Sequence, residues 1–79
     1  MVLIPNPVKN KLTIHLPEKL NVESFTVYNY LGEIILSEGK SAGMAGNEIQ
    51  MDCSTYPEGL YIIEVASEGH VLRSKFIKQ

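Results

Sequence analysis

The stretch "YPEGLYIIEV", from Tyr56 to Val65, joins a turn signal to an apolar segment. Pro57 suits the second position of a type I turn because its ring already holds φ near the required value, and Gly59 then falls at the fourth position, where glycine is favoured. From Tyr61 onward, every second residue points to the same side of an extended chain. The sequence therefore predicts a tight turn that leads directly into a strand of a β-fold.

The same alternation of apolar and polar residues recurs in short segments along the chain. In "KLTIHL", for example, Leu12, Ile14 and Leu16 share one face, and polar residues occupy the other. A period of two indicates strands, and no stretch long enough for a helix has the helical period of 3.6. About seven segments fit a strand: 2–4, 11–16, 24–30, 33–37, 47–53, 60–67 and 70–77.

Turn signals separate these segments. Gly32 and the pair Glu68-Gly69 mark chain reversals, and the stretch 38–47, which holds three glycines, is expected to be a flexible loop. Pro5 and Pro7 place the first strand on a sheet edge, because proline cannot donate a ladder hydrogen bond. Seven short antiparallel strands are too many for one flat sheet, so we expect a small, all-β, immunoglobulin-like β-sandwich that spans residues 1–79 as one domain.

The composition excludes several classes of function. The chain has 79 residues, 44% of them hydrophobic, and a net charge of −2. This charge gives no electrostatic reason to bind nucleic acid. No apolar run is long enough to insert into a membrane, and the first residues do not form a signal peptide.

Residues with catalytic or metal-binding chemistry are few. His15 and His70 lie far apart in sequence with no further ligands at zinc-binding spacing. Ser54, His70 and Asp52 could in principle form a nucleophile–base–acid set, but no nucleophile elbow or oxyanion loop positions them. Cys53 is expected to be a small core residue. The sequence thus predicts no enzyme, no cofactor and no metal site.

Four short motifs occur in order along the chain: "IPNPVKNKLTIHLP", "FTVYNYLGEII", "MDCSTYPEGLYIIEV" and the closing "SKFIKQ". In this order and spacing they resemble the C-terminal sorting domain of the type IX (Por) secretion system of Bacteroidetes. The resemblance runs from about residue 3 to residue 78. The residues that carry it are Pro5, Asn6, Pro7, Tyr28, Asn29, Gly32, Pro57, Gly59, Tyr61, Lys75 and Lys78.

The resemblance implies that the domain is an address label at the C-terminus of a larger secreted protein. The parent would enter the periplasm with its own N-terminal signal peptide, and its last domain would engage the outer-membrane export machinery. A sortase-like peptidase commonly removes such a label, and the cargo is released or joined to a lipopolysaccharide anchor at the cell surface. The motif residues would then serve export recognition, directly or by shaping the fold.

Each motif residue also has a purely structural interpretation. Gly32 and Gly59 are suited to turns in any domain, and Tyr61 is expected to form a tyrosine corner, with its hydroxyl bonded to the backbone near the preceding turn. Lys75 and Lys78 are expected on the surface of the last strand, so that replacing both by alanine changes stability by less than about 0.5 kcal/mol.

Two other functions fit the same pattern. One is an accessory fibronectin type III-like module that spaces domains or binds protein or carbohydrate, although it would lack that module's core tryptophan and offers only Tyr28, Tyr30 and Tyr56 as exposed aromatic candidates. The other is a sorting-like domain that remains as a stable cap in an organism without the export system. A sorting domain must come last in its parent protein, whereas a spacer can lie anywhere.

Overall fold

The computed structural model describes residues 1–17, 21–39, 44–45 and 47–79. These residues form eight strands and no helix. None of the described residues belongs to a helix that could cross a membrane. The strands are β1 (Val2–Ile4), β2 (Lys11–His15), β3 (Val22–Asn29), β4 (Ile34–Glu38), β5 (Met44–Ala45), β6 (Glu48–Asp52), β7 (Gly59–Ser67) and β8 (His70–Lys78).

The strands form two four-stranded antiparallel sheets. The first sheet has the order β1-β2-β6-β5, and the second has the order β4-β3-β7-β8. The predicted all-β sandwich is therefore confirmed. The seven predicted strands correspond to β1–β4 and β6–β8, and β1, which ends directly before Pro5, lies on a sheet edge as predicted.

The additional strand, β5, falls within the stretch predicted as a loop. It has only two residues and pairs with β6 through Met44 opposite Ile49 and Ala45 opposite Glu48. Most of the remaining loop, residues 40–43 and 46, lies outside the described residues. An alternating apolar pattern could not have revealed so short a strand, because two residues are too few to show a period.

The core lies between the two sheets and is built from alternate residues of their strands. Leu12 and Ile14 of β2 and Ile63 and Val65 of β7 belong to it, and all four are fully buried. This is the period of two seen in the sequence. The apolar core comprises Leu3, Val8, Leu12, Ile14, Leu16, Val22, Phe25, Val27, Ile49, Met51, Cys53, Tyr61, Ile63, Val65 and Phe76.

The last two strands are joined by the predicted two-residue turn. Ser67 pairs with His70, and the intervening Glu68 and Gly69 both have positive φ, at 43° and 82°. Such a turn has the twist that antiparallel neighbours need. It places the whole of β8 beside β7 and makes β8 an edge strand of the second sheet.

Candidate functional site

The motif residues gather at one end of the sandwich, where β7 begins and β8 ends. Asn29 at the end of β3 is opposite Tyr61, and Gly59 is opposite Lys78. Val8, directly after the proline motif, forms a parallel bridge with Lys78. Residues of all four motifs, which are far apart in sequence, therefore lie close together in the structure. The closing motif supplies the end of β8, which pairs with the start of β7 and with Val8.

Asn29 organises the turn that follows β3. Its Oδ1 accepts hydrogen bonds from the backbone N–H groups of Leu31 (2.9 Å) and Glu33 (3.0 Å), and its Nδ2 donates to Oε1 of Glu33 (2.7 Å). The N–H of Gly32 donates to the carbonyl of Asn29, and Gly32 has a φ of 83°, a conformation that glycine adopts readily. All the polar atoms of the Asn29 side chain thus hold its own turn.

Tyr61 forms the predicted tyrosine corner. Its hydroxyl donates to the carbonyl of Pro57 at 2.6 Å, and its ring is 4% exposed between Tyr56 and Phe76, with ring centroids 5.3 and 5.4 Å away. Burial raises the pKa of Tyr61, so the hydroxyl keeps its proton and remains a donor. The corner ties the start of β7 to the segment before it.

The turn before β7 lies three residues earlier than the sequence predicts. The N–H of Tyr56 donates to the carbonyl of Cys53, which closes a turn at residues 53–56, not at residues 56–59. Asp52 explains the shift, because its Oδ1 accepts the N–H of Ser54 at 2.9 Å and starts the reversal there. Pro57 follows the turn and supplies the carbonyl that Tyr61 binds.

Gly59 begins β7 with a φ of 150°, a backbone conformation that residues with side chains rarely adopt. A Cβ placed on it would meet no atom within 4 Å. Glycine is therefore required here by the backbone conformation and not by a close approach.

The tyrosine corner gives a prediction about stability. Tyr61→Phe keeps the buried ring but removes the 2.6 Å hydrogen bond to Pro57, so we expect it to lower the free energy of unfolding by about 1 kcal/mol. Urea denaturation followed by circular dichroism measures the loss. Tyr30→Phe is the matched control, because Tyr30 is 71% exposed. Equal midpoints for the two variants would contradict the structural role of the hydroxyl.

The proline motif lies between β1 and β2 of the first sheet, where the connecting segment contacts the edge of β8 in the second sheet. Asn6 sits between two cis peptide bonds, Ile4-Pro5 and Asn6-Pro7. Its Oδ1 accepts the N–H of Ile77 at 2.9 Å, and its Nδ2 donates to the carbonyl of Lys75 at 3.3 Å. The Asn6 amide thus bonds to the outer edge of β8 as a neighbouring strand would.

Val8 continues this coverage of β8. Its N–H donates to the carbonyl of Ile77, and its own carbonyl accepts the N–H of Gln79, both at 2.8 Å. Sequence reasoning missed these contacts, since Asn6 and its partners are 69 and 71 residues apart and no local pattern reports such a pairing. The edge of the last strand is thereby closed from Lys75 to Gln79.

Residues of all four motifs therefore lie at one end of one fold. The family model described as a secretion system C-terminal sorting domain matches residues 2–79. The chain belongs to this family. Comparison with curated proteins finds no match.

Sorting domains of this family serve type IX secretion. They mark the proteins that carry them for export to the cell surface or the extracellular space. Such a domain interacts with the type IX machinery and is carried by a cargo protein.

The two lysines of the closing motif of the sorting domain occupy opposite faces of β8. Lys75 is exposed and pairs with Ile62 on the outer face, as expected. The expectation for Lys78 is wrong: it is only 7% exposed, on the same face as the buried Phe76, and its Nζ donates to the backbone oxygen of Gln79 at 2.9 Å. The period of two already places residues 76 and 78 on one face, so the sequence contained this signal.

This difference changes the prediction for the lysines. We expect Lys75→Ala to change the free energy of unfolding by less than about 0.5 kcal/mol. We expect Lys78→Ala to lower it by about 1 kcal/mol or more, because the buried aliphatic stem loses its packing, and Lys78→Met to recover most of that loss. Urea midpoints of the three variants test this, and a Lys78→Ala midpoint equal to that of Lys75→Ala would contradict the burial argument.

Cys53 is fully buried in the sorting domain, as predicted. Its Sγ lies 3.2 Å from the carbonyl of Asn10, as a hydrogen-bond donor would. Burial raises the pKa of this thiol, although nearby Lys78 opposes the effect. The thiol therefore stays protonated near neutral pH and packs as a core residue.

The residues considered for catalysis do not meet. Asp52 accepts the N–H of Ser54, and hydrogen bonding from the backbone and then the side chain of Ser54 holds the pKa of Asp52 below its ordinary value. His70 pairs with Ser67 at the far end of β7, a nine-residue strand that spans about 26 Å at about 3.3 Å per residue. His15 contacts Glu48, with 3.6 Å between Nδ1 and Oε1. Among the described residues, no three His, Cys, Asp or Glu side chains are placed to hold a metal.

The aromatic candidates for carbohydrate binding are also dispersed. Tyr56 packs against Tyr61, and Tyr28 is half-buried on the outer face, so that only Tyr30 presents a freely exposed ring. An open depression of about 240 Å³ lies beside Tyr30, between the turn after β3 and the segment before β7, and includes Pro57 and Leu60 in its lining. One exposed ring is less than the stacking surface that carbohydrate-binding modules present, so the arrangement gives carbohydrate binding little support, whereas the spacer and protein-binding alternatives stay predictions.

Proposed function

We propose that residues 1–79 form a single non-catalytic sorting domain at the C-terminus of a larger cargo protein, which the outer-membrane type IX machinery reads as a folded shape. In this proposal the parent reaches the periplasm with its own signal peptide and folds there. A sortase-like peptidase then removes the domain on export, and the cargo is released or anchored at the cell surface.

The observation that carries the proposal is how the motif side chains are used. Asn6, Asn29 and Tyr61 direct their polar atoms mainly at the backbone of the domain itself. Side chains engaged in this way are not free to make the same bonds to a partner. They instead fix the turns and the closed end of β8, which supports recognition of the folded end and not of a linear peptide.

A fusion experiment tests export. We expect a periplasm-targeted fluorescent protein that carries residues 1–79 at its C-terminus to reach the cell surface or medium of a strain with a type IX system. The same protein without the domain, and the fusion in a strain that lacks the exporter, are expected to remain in the periplasm. Retention of the fusion in the competent strain contradicts the proposal and favours a spacer.

The mass of the exported cargo tests cleavage separately. If a sortase-like peptidase removes the domain, the exported fluorescent protein is smaller than the fusion by about the domain's 8.8 kDa. Export at the full fusion mass would leave the sorting role intact and exclude removal of the label.

A further inference from the structure

The outer edge of β8 is closed along only half of its length. The N–H and C=O groups of alternate residues point away from β7, as the bonds of Ile77 to Asn6 and Val8 show. The same alternation directs the N–H and C=O of Val71 and Arg73, together with the N–H of Lys75, toward the outside. Within the part of the chain that the structure describes, these five groups have no hydrogen-bond partner.

A depression lies beside this open half. It has a volume of about 430 Å³ and is lined by Ile62, Arg73, Ser74 and Lys75. The Arg73 side chain is 66% exposed and uses its Nε to bind Glu64 at 2.7 Å, which leaves its other N–H groups available. The depression thus has an apolar wall and two basic side chains, directly along a row of unpaired backbone groups.

We infer that the β8 edge from Val71 to Lys75 is a strand-addition site for an extended acidic segment of a partner protein. The backbone of such a segment completes the ladder with the five free groups, and its alternate carboxylates face Arg73 and Lys75 on the outer side of the sheet. The Asn6 amide ends the site, because beyond Lys75 the edge is already occupied.

A second copy of the chain fits this edge poorly. If two β8 strands paired antiparallel about Arg73, each Arg73 would face the other, and each Val71 would face a Lys75. Like charges directly opposite on neighbouring strands are destabilising. The basic side chains therefore oppose self-pairing and favour an acidic partner, which is a common way to protect an exposed edge from aggregation.

The test uses the 79-residue chain and a synthetic heptapeptide of alternating glutamate and valine, with a heptapeptide of alternating lysine and valine as control. In a ¹⁵N-labelled sample, we expect the glutamate peptide to shift the amide signals of Val71, Arg73 and Lys75 and to slow their hydrogen exchange. The lysine peptide is expected to bind at least tenfold more weakly. This experiment needs no export system, so its failure and the failure of the proposed function can be told apart.

Three variants test whether the peptide binds at the β8 edge and not elsewhere on the domain. Val71→Pro removes one outward N–H and is expected to weaken binding of the glutamate peptide at least tenfold, as is Lys75→Glu through its reversed charge. Lys11→Glu makes the same charge change on the first sheet and is expected to leave binding unchanged. The inference is overturned if both peptides bind equally, if Val71→Pro binds like the unaltered chain, or if the chain forms a dimer that Val71→Pro dissociates.

Discussion

The Phe76→Ala variant is expected to lose about 3–5 kcal/mol of unfolding free energy. Phe76 is 1% exposed, and its ring stacks on Tyr61 with the centroids 5.4 Å apart, so alanine leaves a cavity under the tyrosine corner. A domain of 79 residues has about 4–12 kcal/mol of stability in total. The variant should therefore be close to unfolding in water, with a urea midpoint far below that of the unaltered chain.

The neighbouring residue provides the control. Ile77 lies on the opposite face of β8 and is 48% exposed, so Ile77→Ala is expected to cost less than about 1 kcal/mol. Carried by the fluorescent fusion, Phe76→Ala should be retained in the cell while Ile77→Ala is exported, if the machinery recognises the folded domain. Similar urea midpoints for the two variants would mean that Phe76 is not the core residue that its burial indicates.

The Gly59→Val variant has the next largest expected effect, a loss of about 1–3 kcal/mol. The cause is the φ of 150° at the start of β7, which a β-branched residue cannot adopt without strain, and not a collision, since the space around a Cβ is open. The strained residue lies next to Tyr61 and Lys78, near the end of the chain. A backbone shift that relieves the strain at residue 59 should therefore also weaken the tyrosine corner.

Gly39→Val is the matched control for this effect. Gly39 also has open space around a Cβ, but its φ lies outside the range that favours glycine. Thermal unfolding of the two variants should show a clear loss only for Gly59→Val. Equal melting temperatures would show that the backbone at residue 59 relaxes without cost.

The strands could be predicted because the sandwich buries one face of most of them. The alternation in β2 and β7 appears directly in the sequence. The residue types of Glu68-Gly69 are typical of a tight turn and mark the reversal between β7 and β8. Tyr61 could be predicted as well, because its corner partner is only four residues away. These features depend on local periodicity and on short-range hydrogen bonds.

The remaining features depend on distant parts of the chain or on competition between neighbouring signals. No local pattern could pair Asn6 with β8, and the order of strands in the two sheets is likewise a result of long-range packing. The sequence predicts the turn before β7 three residues too late because the side chain of Asp52 competes with Pro57 for the start of the reversal. Whether the motif residues act in export beyond shaping this end of the fold stays a prediction.

The hydrogen bonds that join Asn6 to Lys75 and Ile77 form a seam along the end of β8. This seam constrains the order in which the domain can fold. Its two sides are 69 and 71 residues apart, and the chain is synthesised from the N-terminal side, so the seam can close only after nearly the whole domain has emerged. Contacts between such distant residues form slowly, because a long loop must be closed first. A chain that stops before residue 75 leaves the proline motif without its partner strand. Completion of this seam therefore requires nearly the whole domain, so it distinguishes a full-length domain from a truncated one.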